Sequence, residues 1–215
     1  MLVKIKKPVL VVLSALMIFT FTAPSFAKSS VDIEQDIYVN NVQENVLIQD
    51  KEYNYKYSYD SASNDNITYI TDTQSGQSDT LIHDKETGIF YLNGQKVAEI
   101  KDDLNIPTQI LRAGSYWKYI SNSSTYISWK KGLAAAVVAG IIAGALGQGA
   151  TVVAVLGSVG ASTLGYISSS FVGGRLYWTK WYHVNLLNYH YKIDWAIKAP
   201  NGKRFGTYYI QYTLE

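Results

Sequence analysis

Three histidines, His83, His183 and His190, are the side chains of this 215-residue chain suited to moving protons near neutral pH, and no cysteine is present to act as nucleophile or metal ligand. His183 and His190 are seven apart, which puts them on opposite faces of a continuous strand; a metal pair would need a bend near Leu187-Asn188. Serines are plentiful, yet none sits in a Gly-x-Ser-x-Gly elbow, and Gly157-Ser158-Val159-Gly160 misses that spacing. Gly147-Gln148-Gly149 is followed by no Gly-Lys-Thr/Ser, so it is not read as a phosphate loop. Asp72 and Asp84 each head a turn but lack the dense oxygen spacing of a calcium loop. These residues predict no metal, no cofactor and no enzymatic activity, and a secreted enzyme is the least favoured function.

The chemistry that the sequence does advertise is that of lipid. Between Lys131 and Arg175 lies a stretch of 43 residues without a charge, built from Ala, Gly, Val, Ile, Leu, Ser and Thr. Gly147-Gln148-Gly149 divides it, which predicts two helices, Leu133 to Leu146 and Ala150 to Val172, joined by a tight turn into a hairpin over 132–173. Small residues recur at every fourth position: Gly132, Ala136, Gly140 and Gly144, then Gly157, Ala161, Gly165, Ser169 and Gly173. Glycine lowers helix stability in water, whereas small-xxx-small faces drive helix association in lipid. Gly140, Gly144, Gly147, Gly149, Gly157, Ala161 and Gly165 are therefore the expected membrane-insertion residues. At 1.5 Å per residue the first segment reaches about 21 Å and the second about 34 Å, so only the second matches a hydrocarbon core of about 30 Å. Trp117, Trp129, Lys130, Lys131, Arg175, Trp178 and Trp181 flank the run, and such amphipathic aromatic and basic groups prefer the headgroup layer. They are the expected interface anchors, all at one bilayer surface. A helical hairpin that stays enclosed as the core of a water-soluble fold is the competing reading of the same stretch.

The elements that would hold this insert are β-strands. Tyr53, Tyr55, Tyr57 and Tyr59 alternate with polar residues, Asn93-Gly94 and Pro200-Asn201-Gly202 mark hairpins, and the Asp72–Gly76 and Asp84–Gly88 stretches repeat one turn formula. Val31 to Leu47 fits helix or strand equally. The predicted fold class is α+β: an N-terminal antiparallel β-meander, then antiparallel strands with an inserted Gly-rich hydrophobic helical hairpin.

Lys4, Lys6 and Lys7, the apolar run Val9 to Phe21 and the small-x-small site Ser25-Phe26-Ala27 predict a secretion signal over 1–27 and an extracellular product. The remainder divides by charge into an acidic β-rich region, 28–107, and a basic, aromatic-rich region, 108–215, with Asp102 to Thr108 as the linker. From Lys28 to Leu111 there are 15 acidic and 6 basic residues; from Arg112 onward there are 2 acidic and 10 basic. Two mutually attracting halves of one domain explain this, as does an acidic half that shields a cationic, membrane-seeking one until cleavage or a membrane separates them. Export and a near-neutral mature charge argue against nucleic acid.

Over Lys130 to Arg175 the chain resembles secreted bacteriocins of Gram-positive bacteria and the hydrophobic hairpins of pore-forming toxins, with a basic, aromatic-flanked, Ala/Gly/Val-rich hairpin behind a more polar region. The resemblance covers about a fifth of the chain. It implies insertion into a target membrane and dissipation of ion gradients, with the membrane as partner. Homo-oligomerisation through the glycine stripes and an immunity or processing partner are further expectations. The alternative function is a secreted cell-surface or matrix structural protein in which the hairpin is a buried core.

Overall fold

The computed structural model describes residues 42–48, 50–101, 116–147, 149–184 and 189–214. The expected signal 1–27, most of the ambiguous Val31–Leu47 stretch and the expected linker 102–108 lie outside the described residues.

Ten strands, β1 (Gln43–Ile48), β2 (Lys51–Asp60), β3 (Asp65–Asp72), β4 (Ser78–Asp84), β5 (Ile89–Leu92), β6 (Gln95–Lys101), β7 (Trp117–Trp129), β8 (Gly173–His183), β9 (Tyr189–Lys198) and β10 (Arg204–Leu214), form one sheet in which sequence neighbours pair antiparallel. The turns are chemically explicit. Asp72 Oδ1 accepts from the Gln74 and Ser75 N–H groups, and Asp84 Oδ1 from those of Glu86 and Thr87. Gly76 and Gly88 then take φ of +70° and +68°, where a Cβ would be strained. The chain is thus α+β, and its strands cross the expected boundary between acidic and basic regions. Ala98–Lys101 of β6 pair with Trp129–Tyr126 of β7, so both regions share one sheet.

Period-two alternation puts Tyr55, Ile70, Leu81, Phe90, Ile127, Leu176, Trp195 and Ile197 on one buried face. Three helices inserted between β7 and β8 cover it: α1 (Ala135–Leu146), α2 (Val152–Val159) and α3 (Ala161–Ser170). Every residue of α1 from Ala136 to Ala143 is buried, as expected of a helix that is apolar all round. Its wrapping comes from β3 and β4 on one side and α2 and α3 on the other. α2 lies against both β1 and β10, so the sheet curves until its two edge strands meet the same helix.

The expected two-helix hairpin is replaced by three helices. α2 and α3 meet at a 92° bend, and no single helix among the described residues is long and apolar enough to cross a membrane. Gly160 is the cause. It takes φ +83° and ψ 142°, its N–H closing α2 on the Leu156 carbonyl while its own carbonyl receives the Leu164 N–H that opens α3. Apolar periodicity does not register a single left-handed residue, so 150–172 reads as one helix in sequence.

Candidate functional site

The insert is rooted where β7 ends and β8 begins. Trp129 is buried at the end of β7, its indole N–H donating to the Phe171 carbonyl at 2.9 Å, and its backbone N–H bonds the Val172 carbonyl at 3.1 Å. Ser168 Oγ donates to the Leu133 carbonyl at 2.7 Å, while the Gly132 N–H donates to the Ser168 carbonyl at 3.0 Å. Both ends of the insert therefore emerge on one side of the sheet, as expected if β7 and β8 pair.

Gly140 and Gly144 of α1 face the sheet. A Cβ at Gly140 would stand 2.5 Å from Leu81 Cδ2, and one at Gly144 2.8 Å from the Phe90 ring and 3.1 Å from His83 Nδ1. Gly147 and Gly149 turn the chain toward α2 at φ +74° and +85°, with Gly149 lying against the Tyr212 ring. A methyl added at Gly157 or Gly165 would meet nothing within 4 Å, and Ala161 is half-buried beside the core. The stripes thus differ at their glycines: Gly140 and Gly144 are matched to β4 and β5, whereas Gly157 and Gly165 have open space beside them.

α2 is fastened to β1 and β2 by Thr151, Glu44 and Tyr57, of which the sequence singled out only Tyr57, as a strand residue. Thr151 caps the helix, its Oγ1 accepting from the Ala154 N–H at 3.1 Å and donating to Glu44 Oε1 at 3.3 Å. Tyr57 donates its hydroxyl to Glu44 Oε2 at 2.8 Å and accepts the Val152 N–H at 3.1 Å. Burial pushes the Glu44 carboxyl above its ordinary range, and the hydrogen bonds from Tyr57 and Thr151 pull it partly back. A threonine ahead of an apolar helix was a readable cap signal. Nothing in the sequence tied Glu44 to a position 107 residues later.

Beneath Gly144, His83 stacks on Phe90 at 4.1 Å with the rings 7° apart. A cavity of about 20 Å³ opens beside them, lined by Asn66, Thr68, Leu81 and Ala143 among others, large enough for one water molecule. His83 Nδ1 and Asn66 Oδ1 have no protein hydrogen-bond partner. Burial, then the nearby Lys85 charge, lower the His83 imidazolium to about 4, with Asp84 opposing. His183 packs edge-on against Trp117, and His190 is 3.3 Å from the Thr213 hydroxyl. Among the described residues no group of three or more His, Cys, Asp or Glu converges.

The expected anchors do not form one belt. Lys130 and Lys131 are exposed at the root of the insert, Trp129 is buried there, and Arg175 lies two residues into β8. Trp178 turns inward onto the core. Trp117 and Trp181 sit at the opposite end of β7 and β8, about 40 Å from Trp129 along a 13-residue strand rising about 3.3 Å per residue. There they sandwich Lys192, whose Nζ lies 5.3 Å and 5.6 Å from the two ring centroids and 2.9 Å from Asp194. One bilayer surface cannot take both groups while β7 stays straight and paired.

Comparison with known proteins finds no matching family model, no similar curated protein and no similar solved structure, so the functional reading rests on the chain's own residues.

Proposed function

We propose that this is an exported, bacteriocin-like membrane protein whose 132–173 insert leaves the sheet and enters a lipid bilayer, with Gly157, Ala161 and Gly165 as the close-contact stripe between inserted helices. The observation that carries this reading is the water-facing side of α2 and α3. Gly157, Ser162, Tyr166, Ser169, Ser170 and Val172 are exposed, yet no charge occurs anywhere between Lys131 and Arg175. A permanent core accounts for the apolar α1, but exposed helix positions accept Lys or Glu at little cost. A second environment for the same segment accounts for their absence.

The close fit of Gly140 and Gly144 to Leu81 and Phe90 favours a second reading, an extracellular scaffold or binding protein that never releases its helices. A tether separates the two. The chain has no cysteine, so Glu44→Cys with Thr151→Cys creates a unique pair at positions whose native oxygens lie 3.3 Å apart. A short bis-maleimide cross-linker with a cleavable centre, which alkylates both thiols, then fixes α2 to β1. Untethered protein is expected to release dye from vesicles containing phosphatidylglycerol, the tethered form to release none, and linker cleavage to restore release. Equal release with and without the tether, or none from any form, overturns the insertion reading and leaves the scaffold.

A further inference from the structure

The helices rest on a wall that is not wholly apolar. Four side chains of the sheet's inner face bury a polar atom that has no hydrogen-bond partner among the described residues: Tyr55 Oη on β2, Asn66 Oδ1 on β3, His83 Nδ1 on β4 and Trp195 Nε1 on β9. Tyr55 and Trp195 are fully enclosed, and Asn66 stands directly opposite His83 beneath Ala143 and Gly144 of α1. A donor or acceptor buried without a partner forfeits the hydration it had in water.

The insert has little to offer these atoms. α1 consists of Ala, Val, Gly, Ile and Leu, none with a donor or acceptor in its side chain. The hydroxyls of Ser158, Ser168 and Ser169 turn back onto carbonyls of the insert itself, at Val155, Leu133 and Tyr166, while Thr151 reaches the sheet at Glu44. The cavity beside His83 and Asn66 admits one water, but Tyr55 and Trp195 do not line it. Tyr57 is the contrasting case. Two residues from Tyr55 on the same face, it donates its hydroxyl to Glu44 and accepts the Val152 N–H.

We propose that the docked insert is a primed state, in which helices that cannot bond the polar atoms of the inner wall keep those atoms from water, so that their hydration assists the departure of the helices. The inference rests on the membrane reading above and adds what lowers the cost of leaving the sheet. A helix that departs gives up apolar burial, which lipid replaces, and the wall regains hydrogen bonds with water. A wall of Leu and Val at the same positions would hold the same helices with nothing to regain.

The test compares two tyrosines of one strand face that differ in this respect. Tyr55→Phe and Tyr57→Phe each delete a hydroxyl from β2 and keep the ring. In thermal melts of the full chain, Tyr55→Phe is expected to raise the midpoint by about 2–4 °C and Tyr57→Phe to lower it by about as much. With vesicles containing phosphatidylglycerol, dye release should slow about fivefold for Tyr55→Phe and quicken for Tyr57→Phe. A Tyr55→Phe midpoint equal to or below that of wild type overturns the proposal, because it assigns the hydroxyl a partner, a buried water included. A raised midpoint with an unchanged rate of release overturns it too, since the wall then has no part in departure. A raised midpoint with no dye release from wild type or either variant keeps the unsatisfied wall and removes the insertion reading, so the two fail separately.

Discussion

At Gly144 the absence of a side chain is what lets α1 lie on the Phe90 ring and the His83 imidazole. Gly144→Val would force a branched group into that contact, and overpacking of this kind costs about 1–3 kcal/mol. Gly165→Ala does the reverse, because its methyl meets open space and a helical glycine is worth about 1 kcal/mol less than alanine. Denaturant unfolding of the two variants is expected to move in opposite directions. His83 sets a pH dependence whose sign follows from its burial. The folded state holds the ring neutral down to about 4 instead of 6.5, so protonation favours unfolding. The stability at stake, about 3 kcal/mol, is complete above pH 6.5 and is lost as pH falls toward 4. Glu44, raised by burial, works in the opposite sense as it takes up its proton and offsets part of the loss. Thermal melts of His83→Gln should be flatter than wild type across that window. The turn aspartates and the tyrosine alternation were legible because their causes are local. The fourfold glycine spacing was legible as close packing but not as packing on a sheet, since the spacing is the same whatever lies opposite.

Among the three helices, α2 is the shortest. It has eight residues, too few for stability by itself, and depends on the Thr151 cap and the Glu44–Tyr57 bonds. Thr151→Ala removes both the cap and one tie to β1 and is expected to cost about 1–2 kcal/mol in chemical denaturation, with Thr151→Ser close to wild type. The β9–β10 pairing and α1 were readable from turn residues and the apolar run. The break at Gly160 was not, because Gly157, Gly160 and Gly165 are equivalent as letters and only backbone geometry tells which one takes a positive φ. The separation of Trp117 from Trp129 was hidden for a related reason. Two tryptophans twelve apart are close in a helix-sized picture and far apart on a strand.

On the scale of the molecule, the acidic and basic regions are consecutive strands of one ladder, and α1 takes its cover from β3 and β4 of the acidic part. The charge asymmetry was plain in the sequence, whereas the sharing of one core was not, since the β6–β7 pairing joins segments on either side of the expected linker. A fragment of residues 112–215 expressed alone would leave the sheet-facing side of α1 exposed to water. It is expected to show no cooperative thermal transition by circular dichroism, while the full chain shows one.

The β7–β8 ladder runs unbroken from Trp117↔His183 to Ser128↔Gly173 apart from one bulge near Ile120, so the departure and return points of the insert stand about 5 Å apart on neighbouring strands. The forty-odd residues between those two points form a side excursion from the β7–β8 ladder, so the order of the strands is set without them.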